Sequence, residues 1–238
     1  MIPRAMILAA GMGTRLRPLT DHTPKALLKY KGSPMLEHVI RKLKDAGIKE
    51  VLINVHHLAD QIIAYIEENN SFGISIEFSE ERKELMDTGG GINKAKWFFE
   101  GRGPFLVYNI DIQSSIDINK LVEAHLGSDR LATLAVKQRD TSRNFLMNKE
   151  HLLCGWKNNQ TGETIITRDE KNLGSTAFSG IHVISDTIFP LLDQKGPFSI
   201  TKQYLELSKQ HPIYLYDHSE DEWVDMAHPG NFKYRGIG

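Results

Sequence analysis

Two glycines and three cations lie close together at the start of this sequence. In AAGMGTRLRPLT (Ala9 to Thr20), Gly11 and Gly13 follow an apolar run directly, and Arg15, Arg17 and then Lys25 come after them. Glycine amides can approach an anion closely, and three cations beside such a backbone nest suit a polyphosphate better than a single carboxylate. Arginines in a loop are also an ordinary solvated surface, so other residues must decide. GMGTRL opens like the dinucleotide fingerprint GxGxxG, but Leu16 stands at the third glycine and Pro18 falls inside the helix that the motif must begin. No GxxxxGK followed by Ser or Thr occurs, which removes the Walker-type loop. A second glycine-rich block, DTGGGINKA (Asp87 to Ala95), is either a permissive turn or a place of close backbone approach.

These groups need a scaffold to gather them. RAMILAA (Arg4 to Ala10) reads as a strand buried on both faces. Ser33 and Pro34 predict a helix start, serine as N-cap and proline at the first helical position. Met35, Leu36, Val39, Ile40 and Leu43 continue it at helical spacing, and Gly47 closes it. VLINV (51–55) is a strand, Leu58, Ile62, Ile63 and Ile66 mark a helix, and ISIEF (74–78) is a third strand. A helix is expected after the glycines at 89–91, then FLVYNI (105–110) as a central strand ending on Asp111. Alternating strands and helices imply right-handed crossovers and an α/β fold: a Rossmann-like, mostly parallel mixed sheet with helices on both faces. Ligands of such sheets gather at the carboxyl ends of the strands, where both the glycine loop and Asp111 fall. After about Leu131 the pattern loosens into short β-like pieces, with helical stretches near 186–193 and 199–209. The expectation is one domain over 1–238, its nucleotide half about 1–112, its second half about 113–238 adding short strands and a lid.

Composition narrows the function classes. The net charge of −1 argues against a general nucleic-acid or membrane-surface binder, so an anionic ligand must be met by local charge. The lone Cys154 excludes an internal disulfide framework and a cysteine-rich zinc site; a reducing compartment, the cytoplasm, is the default. No stretch approaches the roughly 20 apolar residues of a membrane-spanning helix, and the run Ala5 to Ala10 is too short for a signal sequence. His56 and His57 have no third ligand in view, and no HExxH or GxSxG occurs. Trp97, Phe98 and Phe99 read as core.

LAAGMGTRLRPLTDHTPKALL (Leu8 to Leu28) closely resembles the GxGxRxRPLTxxxPKPL element of the sugar-phosphate nucleotidyltransferases, departing mainly at Ala26, where proline is usual. The resemblance implies that Leu8, Ala9, Ala10, Gly11, Gly13 and Thr14 line a nucleoside triphosphate. It also implies that Arg15 and Lys25 act catalytically on its phosphates. Family members carry an aspartate in an Asn-Gly-Asp triplet at a strand end, which here is Asn109, Ile110 and Asp111. EWVDMAHPGNF is similar to their WxDxGTP element and supplies Asp225, with Ala227 and His228 in place of glycine and threonine. Two aspartates from distant segments offer the hard oxygens that magnesium takes, with substrate phosphates completing its octahedron. On a strand Asn109 and Asp111 share a face, so Ile110 is expected to point into the core. The resemblance further places Thr88, Gly89 and Gly90 against base and ribose, beside Asn109.

The same resemblance implies transfer of a nucleotidyl group to a sugar 1-phosphate with release of pyrophosphate, by direct in-line attack. TGGGI looks like the uridylyltransferases acting on N-acetylmuramate 1-phosphate, which favours UTP. Mannose or heptose 1-phosphate with GTP, phosphocholine with CTP, and a non-catalytic regulatory or scaffold homologue remain alternatives. On the sugar side, FSGIHVI (Phe178 to Ile184) places Gly180 near the ring, with Thr176 and Ser179 as hydroxyl partners or plain strand residues. Arg143 in DTSRNFL is a candidate for the sugar phosphate or a lactyl carboxylate, against an ordinary surface arginine. A cell-wall role, a monomer or homodimer and no bifunctional C-terminal β-helix complete the expectation.

Overall fold

The computed structural model describes residues 2–233, so Met1 and residues 234–238 of the expected 1–238 unit lie outside the described residues. In chain order the strands are β1 (Arg4–Leu8), β2 (Lys29–Tyr30), β3 (Ser33–Pro34), β4 (Glu50–Val55), β5 (Ser75–Glu80), β6 (Phe105–Asn109) and β7 (Ile112–Ser114). They continue with β8 (Ala132–Lys137), β9 (Arg143–Met147), β10 (Leu153–Asn158), β11 (Thr164–Ile166), β12 (Gly174–Ile184), β13 (Ile213–Asp217) and β14 (Trp223–Asp225). The α-helices are α1 (Met35–Asp45), α2 (Ala59–Glu68), α3 (Asp87–Lys94), α4 (Lys96–Phe99), α5 (Ile118–His125), α6 (Ile200–Leu207) and α7 (Pro229–Lys233).

The parallel strands β5, β4, β1 and β6 form the first half of the main sheet in that order, with β1 between β4 and β6. Strand β12 joins antiparallel to β6 and carries the sheet into the second half through β8 and β9. Strand β1 alternates its side chains between two apolar clusters: Ala5 and Ile7 pack with α1, α2 and α5, while Met6 and Leu8 pack with α3, α4 and α6. Burial on both faces is what a short continuous apolar strand in a parallel sheet requires. The α/β class, with its mostly parallel core and flanking helices, is therefore as the sequence implied.

Helix ends show where local signals prevailed and where they failed. At the C-terminus of α1 Gly47 takes a φ of 86°, its N–H bonds the Lys44 carbonyl at 2.9 Å, and the Ile48 N–H reaches the Leu43 carbonyl at 3.0 Å. That pair of bonds is the Schellman arrangement, sealed by the buried Ile48. At the N-terminus the expectation fails: Ser33 pairs with Tyr30 in the β2–β3 ladder, and an extended Pro34 takes the N-cap place with no side-chain cap. The tight hairpin claims the backbone that a serine cap would need. The glycines at 89–91 lie inside α3 instead of preceding it. Trp97, read as core, is 62% exposed at the surface, whereas Phe98 and Phe99 are buried as expected.

Candidate active site

Leu8 lies opposite Asn54 on one side and Asn109 on the other, one row across the carboxyl ends of β4, β1 and β6. Above this row is a cavity of about 190 Å³, lined also by Ala10, Gly11, Lys25, Thr88 and Asp111. The glycine loop and the strand-end aspartate thus share one hollow, as the topology of a parallel sheet predicts. A larger hollow of about 430 Å³ behind Glu81 is lined by residues 80–84, Met86 and Lys94. Two of its three cations are already engaged, Arg82 by Asp60 and Glu80 and Lys94 by the Glu80 carbonyl, and it holds none of the sequence-selected residues.

The loop's two glycines have different reasons to be glycine. Gly13 has φ of 64°, and a Cβ there would lie 2.7 Å from Thr20 Cγ2 and 3.2 Å from Lys25 Cβ, so the loop folds tightly onto the segment that delivers Lys25. The Thr20 hydroxyl donates to the Gly13 carbonyl at 2.9 Å and fixes that contact. A Cβ on Gly11 would meet nothing within 4 Å. The fold itself therefore does not demand glycine at 11, and the open space beside it belongs to the cavity. Arg15 is exposed, with no ion pair to any described residue, while Arg17 pairs with Asp21 at 3.4 Å. Thr14 is exposed in the same turn.

Lys25, on a short 3-10 turn, is nine-tenths buried and its Nζ makes an ion pair with Asp111 Oδ2. Burial keeps water from screening the pair, so it holds the loop to the end of β6 more firmly than a surface pair would. Ile110, expected to turn inward, packs into the apolar cluster beneath the sheet. Asp225 arrives on β14, which pairs with β7, and the Met226 N–H donates to the Asp111 carbonyl at 2.8 Å. The two aspartates, 114 positions apart in sequence (225 − 111), are thereby joined through adjacent main chain. Asp225 Oδ1 accepts from the Ala227 N–H at 2.7 Å. Among the described residues, Asp111 Oδ1 and Asp225 Oδ2 make no hydrogen bond, so each carboxylate keeps one hard oxygen of the kind magnesium takes. The donor set fits that cation with substrate oxygens making up the rest.

Thr88 borders the cavity, and with Gly89 and Gly90 it is also bonded to residues 198–200. The Thr88 hydroxyl accepts from the Ile200 N–H at 3.0 Å, at the start of α6. Gly89 and Gly90 N–H both bond the Phe198 carbonyl, at 2.8 and 3.2 Å. A Cβ on Gly89 would collide with the Phe198 ring, and one on Gly90 would lie 2.6 Å from the Gly196 carbonyl oxygen. The glycines at 89 and 90 are thus required by close packing of α3 on residues 196–200.

On the sugar side, Gly180 has φ of 76° at an irregularity in β12, and a Cβ there would lie 2.8 Å from Asn109 Nδ2. Gly180 therefore packs closely against Asn109, which lines the cavity. Thr176 is instead 2% exposed with its hydroxyl unpaired in the interior, which removes it from any surface site. Ser179 is likewise committed: its Oγ lies 2.7 Å from His218 Nε2, and His218 Nδ1 lies 3.5 Å from Asp221. These are the residue types of an acyl-transfer triad, but Ser179 and His218 are both buried, closing the hydroxyl to substrate. Burial lowers the His218 pKa, against the pull of Asp221. Arg143 is exposed at the start of β9, its guanidinium unpaired among the described residues. In the β9–β10 ladder Arg143 lies opposite Asn158 of β10. Arg139, which the sequence reading passed over, lays its guanidinium 4.2 Å from the Trp223 ring centre and donates to the Phe178 carbonyl. Burial lowers its pKa while the nearby Asp225 opposes the shift. Cys154 is buried and its thiol pKa is raised by desolvation, as befits a structural residue.

Asn54 and Glu81 were also missed. Both are buried in the cavity wall, Asn54 accepting from Ala9 N–H at 2.7 Å and donating to Glu81 at 2.7 Å. The available signal was a polar asparagine inside the apolar run VLINV.

A glycine loop, a paired lysine and two carboxylates thus gather at the carboxyl ends of the parallel strands of an α/β protein. A family model described as nucleotidyl transferase matches residues 4–181, and the chain belongs to that family. It is 28% identical over 232 residues to the mannose-1-phosphate guanylyltransferase catalytic subunit beta of Drosophila melanogaster, covering 96% of this chain and 60% of that protein. It is 41% identical over 109 residues to the N-acetylmuramate alpha-1-phosphate uridylyltransferase of Caulobacter vibrioides, covering 45% of each. The chain thus spans about half to three-fifths of the length of these relatives. A putative glucose-1-phosphate thymidylyltransferase from Bacillus anthracis shares the fold with a TM-score of 0.80 at 20% identity, covering 98% of this chain and 93% of that one. No helix among the described residues is long and apolar enough to cross a membrane.

Proposed function

We propose that this chain joins a nucleoside triphosphate to a sugar 1-phosphate, forming a nucleotide sugar and releasing pyrophosphate. The carrying observation is the open space at Gly11 beside the Lys25–Asp111 pair: a glycine the fold does not need, facing a cation and a carboxylate. The loop amides and Arg15 receive the β- and γ-phosphates, and Lys25 exchanges its bond to Asp111 for the α-phosphate and departing pyrophosphate. Catalysis by positioning and charge is what phosphoryl-type transfer needs from a protein. Asp111 and Asp225 would hold magnesium, which when bound neutralises phosphate oxygens. Gly180 and Arg143 face the sugar phosphate, the arginine suited to a second anion.

UTP with N-acetylmuramate 1-phosphate is the favoured pair. The 41% identity to the Caulobacter uridylyltransferase and the triple glycine shared with that type support it. The near full-length match to the Drosophila guanylyltransferase supports GTP with mannose 1-phosphate as the second reading. The test is pyrophosphate release with all four nucleoside triphosphates against N-acetylmuramate, mannose, heptose and glucose 1-phosphates. Turnover with one pair settles the substrates, whereas silence across the panel favours a non-catalytic homologue.

A further inference from the structure

Two buried side chains outside the catalytic set connect the segment before the glycine loop to the start of α3. Asn54 is 3% exposed and Glu81 1% exposed; both lie in the inner wall of the cavity, with their side-chain oxygens and the Asn54 amide nitrogen already bonded to protein. Asn54 Oδ1 accepts from the N–H groups of Ala9 and Ala10 at 2.7 and 3.3 Å, the two residues immediately before Gly11. Asn54 Nδ2 donates to Glu81 Oε1 at 2.7 Å, and Glu81 Oε2 accepts from the Met86 N–H at 2.9 Å. Met86 opens α3, whose residues Asp87 and Thr88 border the cavity. The backbone of Glu81 is itself held by a 2.8 Å bond to the Val55 carbonyl.

The chain of bonds has a fixed direction. Ala9, Ala10 and Met86 can only donate from their amides, so the two side chains between them must offer acceptors at both ends and one donor in the middle. Asparagine followed by a carboxylate satisfies that order. The backbone of Gly91 closes over the pair, since a Cβ there would lie 3.0 Å from both Asn54 Nδ2 and Glu81 Oε1.

We propose that Asn54 and Glu81 are positioning residues that lock the phosphate loop to the loop on the far side of the cavity, setting the geometry in which the triphosphate is held. This rests on the nucleotidyl-transfer reading above, which gives the two loops a common ligand. Their action is through Ala9, Ala10 and Met86, and specifically through the polarity of the bonds.

Polarity gives the test. Glu81→Gln puts an amide donor against either Met86 N–H or Asn54 Nδ2, and flipping Asn54 only transfers the clash to Ala9 N–H. Asn54→Asp combined with Glu81→Gln restores a donor facing an acceptor at every step, at unchanged net charge. A misplaced phosphate loop should lower kcat/KM for the triphosphate by about 100-fold in Glu81→Gln, and the double variant should recover most of it. KM for the sugar phosphate should stay as in the wild type. Gly91→Ala crowds the pair without altering its polarity, so it should reduce kcat/KM for the triphosphate, while its better helix propensity offsets part of the packing cost in Tm.

Amide hydrogen exchange at Ala9 and Ala10 reads the clamp without turnover: faster in Glu81→Gln, restored in the double variant. Wild-type exchange and wild-type kcat/KM in Glu81→Gln would overturn the proposal, as would a double variant no better than the single one. An inactive wild type would fail the functional reading alone, and the exchange comparison would still decide whether the clamp exists. If Glu81→Gln does not fold, Gly91→Ala carries the test, and unchanged triphosphate kinetics in it overturns the proposal.

Discussion

Two neighbouring glycines should respond to the same substitution in opposite ways. A methyl at Gly11 enters open space, and its φ lies outside the left-handed region, so Gly11→Ala introduces no overlap. Restricting the unfolded chain should stabilise the protein by about 0.4–1 kcal/mol, which raises Tm by roughly 1–4 °C in a chain of this length. Yet the methyl stands where a phosphate would approach the loop amide. Losing one hydrogen bond to a charged group costs about 1.5–3 kcal/mol, or about 10- to 150-fold in kcat/KM. Gly13→Ala instead meets Thr20 Cγ2 at 2.7 Å with φ of 64°. The left-handed backbone costs about 1–2 kcal/mol and the overlap about 1–3, a loss of roughly 5–20 °C in Tm. Thermal melts and pyrophosphate-release kinetics on both variants separate fold from ligand. Wild-type kcat/KM in a well-folded Gly11→Ala protein would refute the phosphate-loop reasoning, and a Tm drop of more than about 5 °C would show that the space is not open.

Lys25→Ala should lower both Tm and turnover because it leaves the Asp111 carboxylate partly buried without its cation; Lys25→Ala with Asp111→Ala should regain Tm but not turnover, with a coupling of about 0.5–3 kcal/mol by double-mutant cycle. Thr88→Ala removes the acceptor for the Ile200 N–H, so it should cost about 1 kcal/mol in a denaturant melt while leaving the ratio of KM for UTP to KM for its 2′-deoxy analogue unchanged. Stability should decline as pH falls below about 6.5. Burial depresses the pKa of His182 to about 3 and, with Arg130 adding to it, that of His125 to about 4. Both are neutral when folded, and the unfolded chain takes up protons first, so the stabilisation present above the unfolded value is lost on acidification. Each contributes about 2 kcal/mol of loss by about pH 5, and His182→Gln should flatten that limb of a Tm–pH curve.

The legible part of this protein is the part in which local chemistry and topology demand the same residue. Gly13 must be glycine for its own backbone, Asp111 follows the end of β6 where a parallel sheet gathers ligands, with Lys25 paired to it, and the apolar periods of α1 and β1 need no partner to be read. Ser33 shows the limit: its type and place suit a cap, but a two-residue hairpin formed by residues on either side of Gly32 takes its backbone first. Gly89 and Gly90 show a different limit. Their glycine character answers to Phe198 and Gly196, more than 100 residues later, and no inspection of DTGGG alone could assign the close approach to protein instead of nucleotide. Asn54 and Glu81 lie between these cases. A buried polar pair is visible in sequence only as an interruption of an apolar run, and its meaning depends on which amides the fold brings to it. Because those amides belong to Ala10, which lines the cavity, and to Met86, which directly precedes the lining residues Asp87 and Thr88, the residues hardest to read from sequence are the ones that set the distance between the two loops.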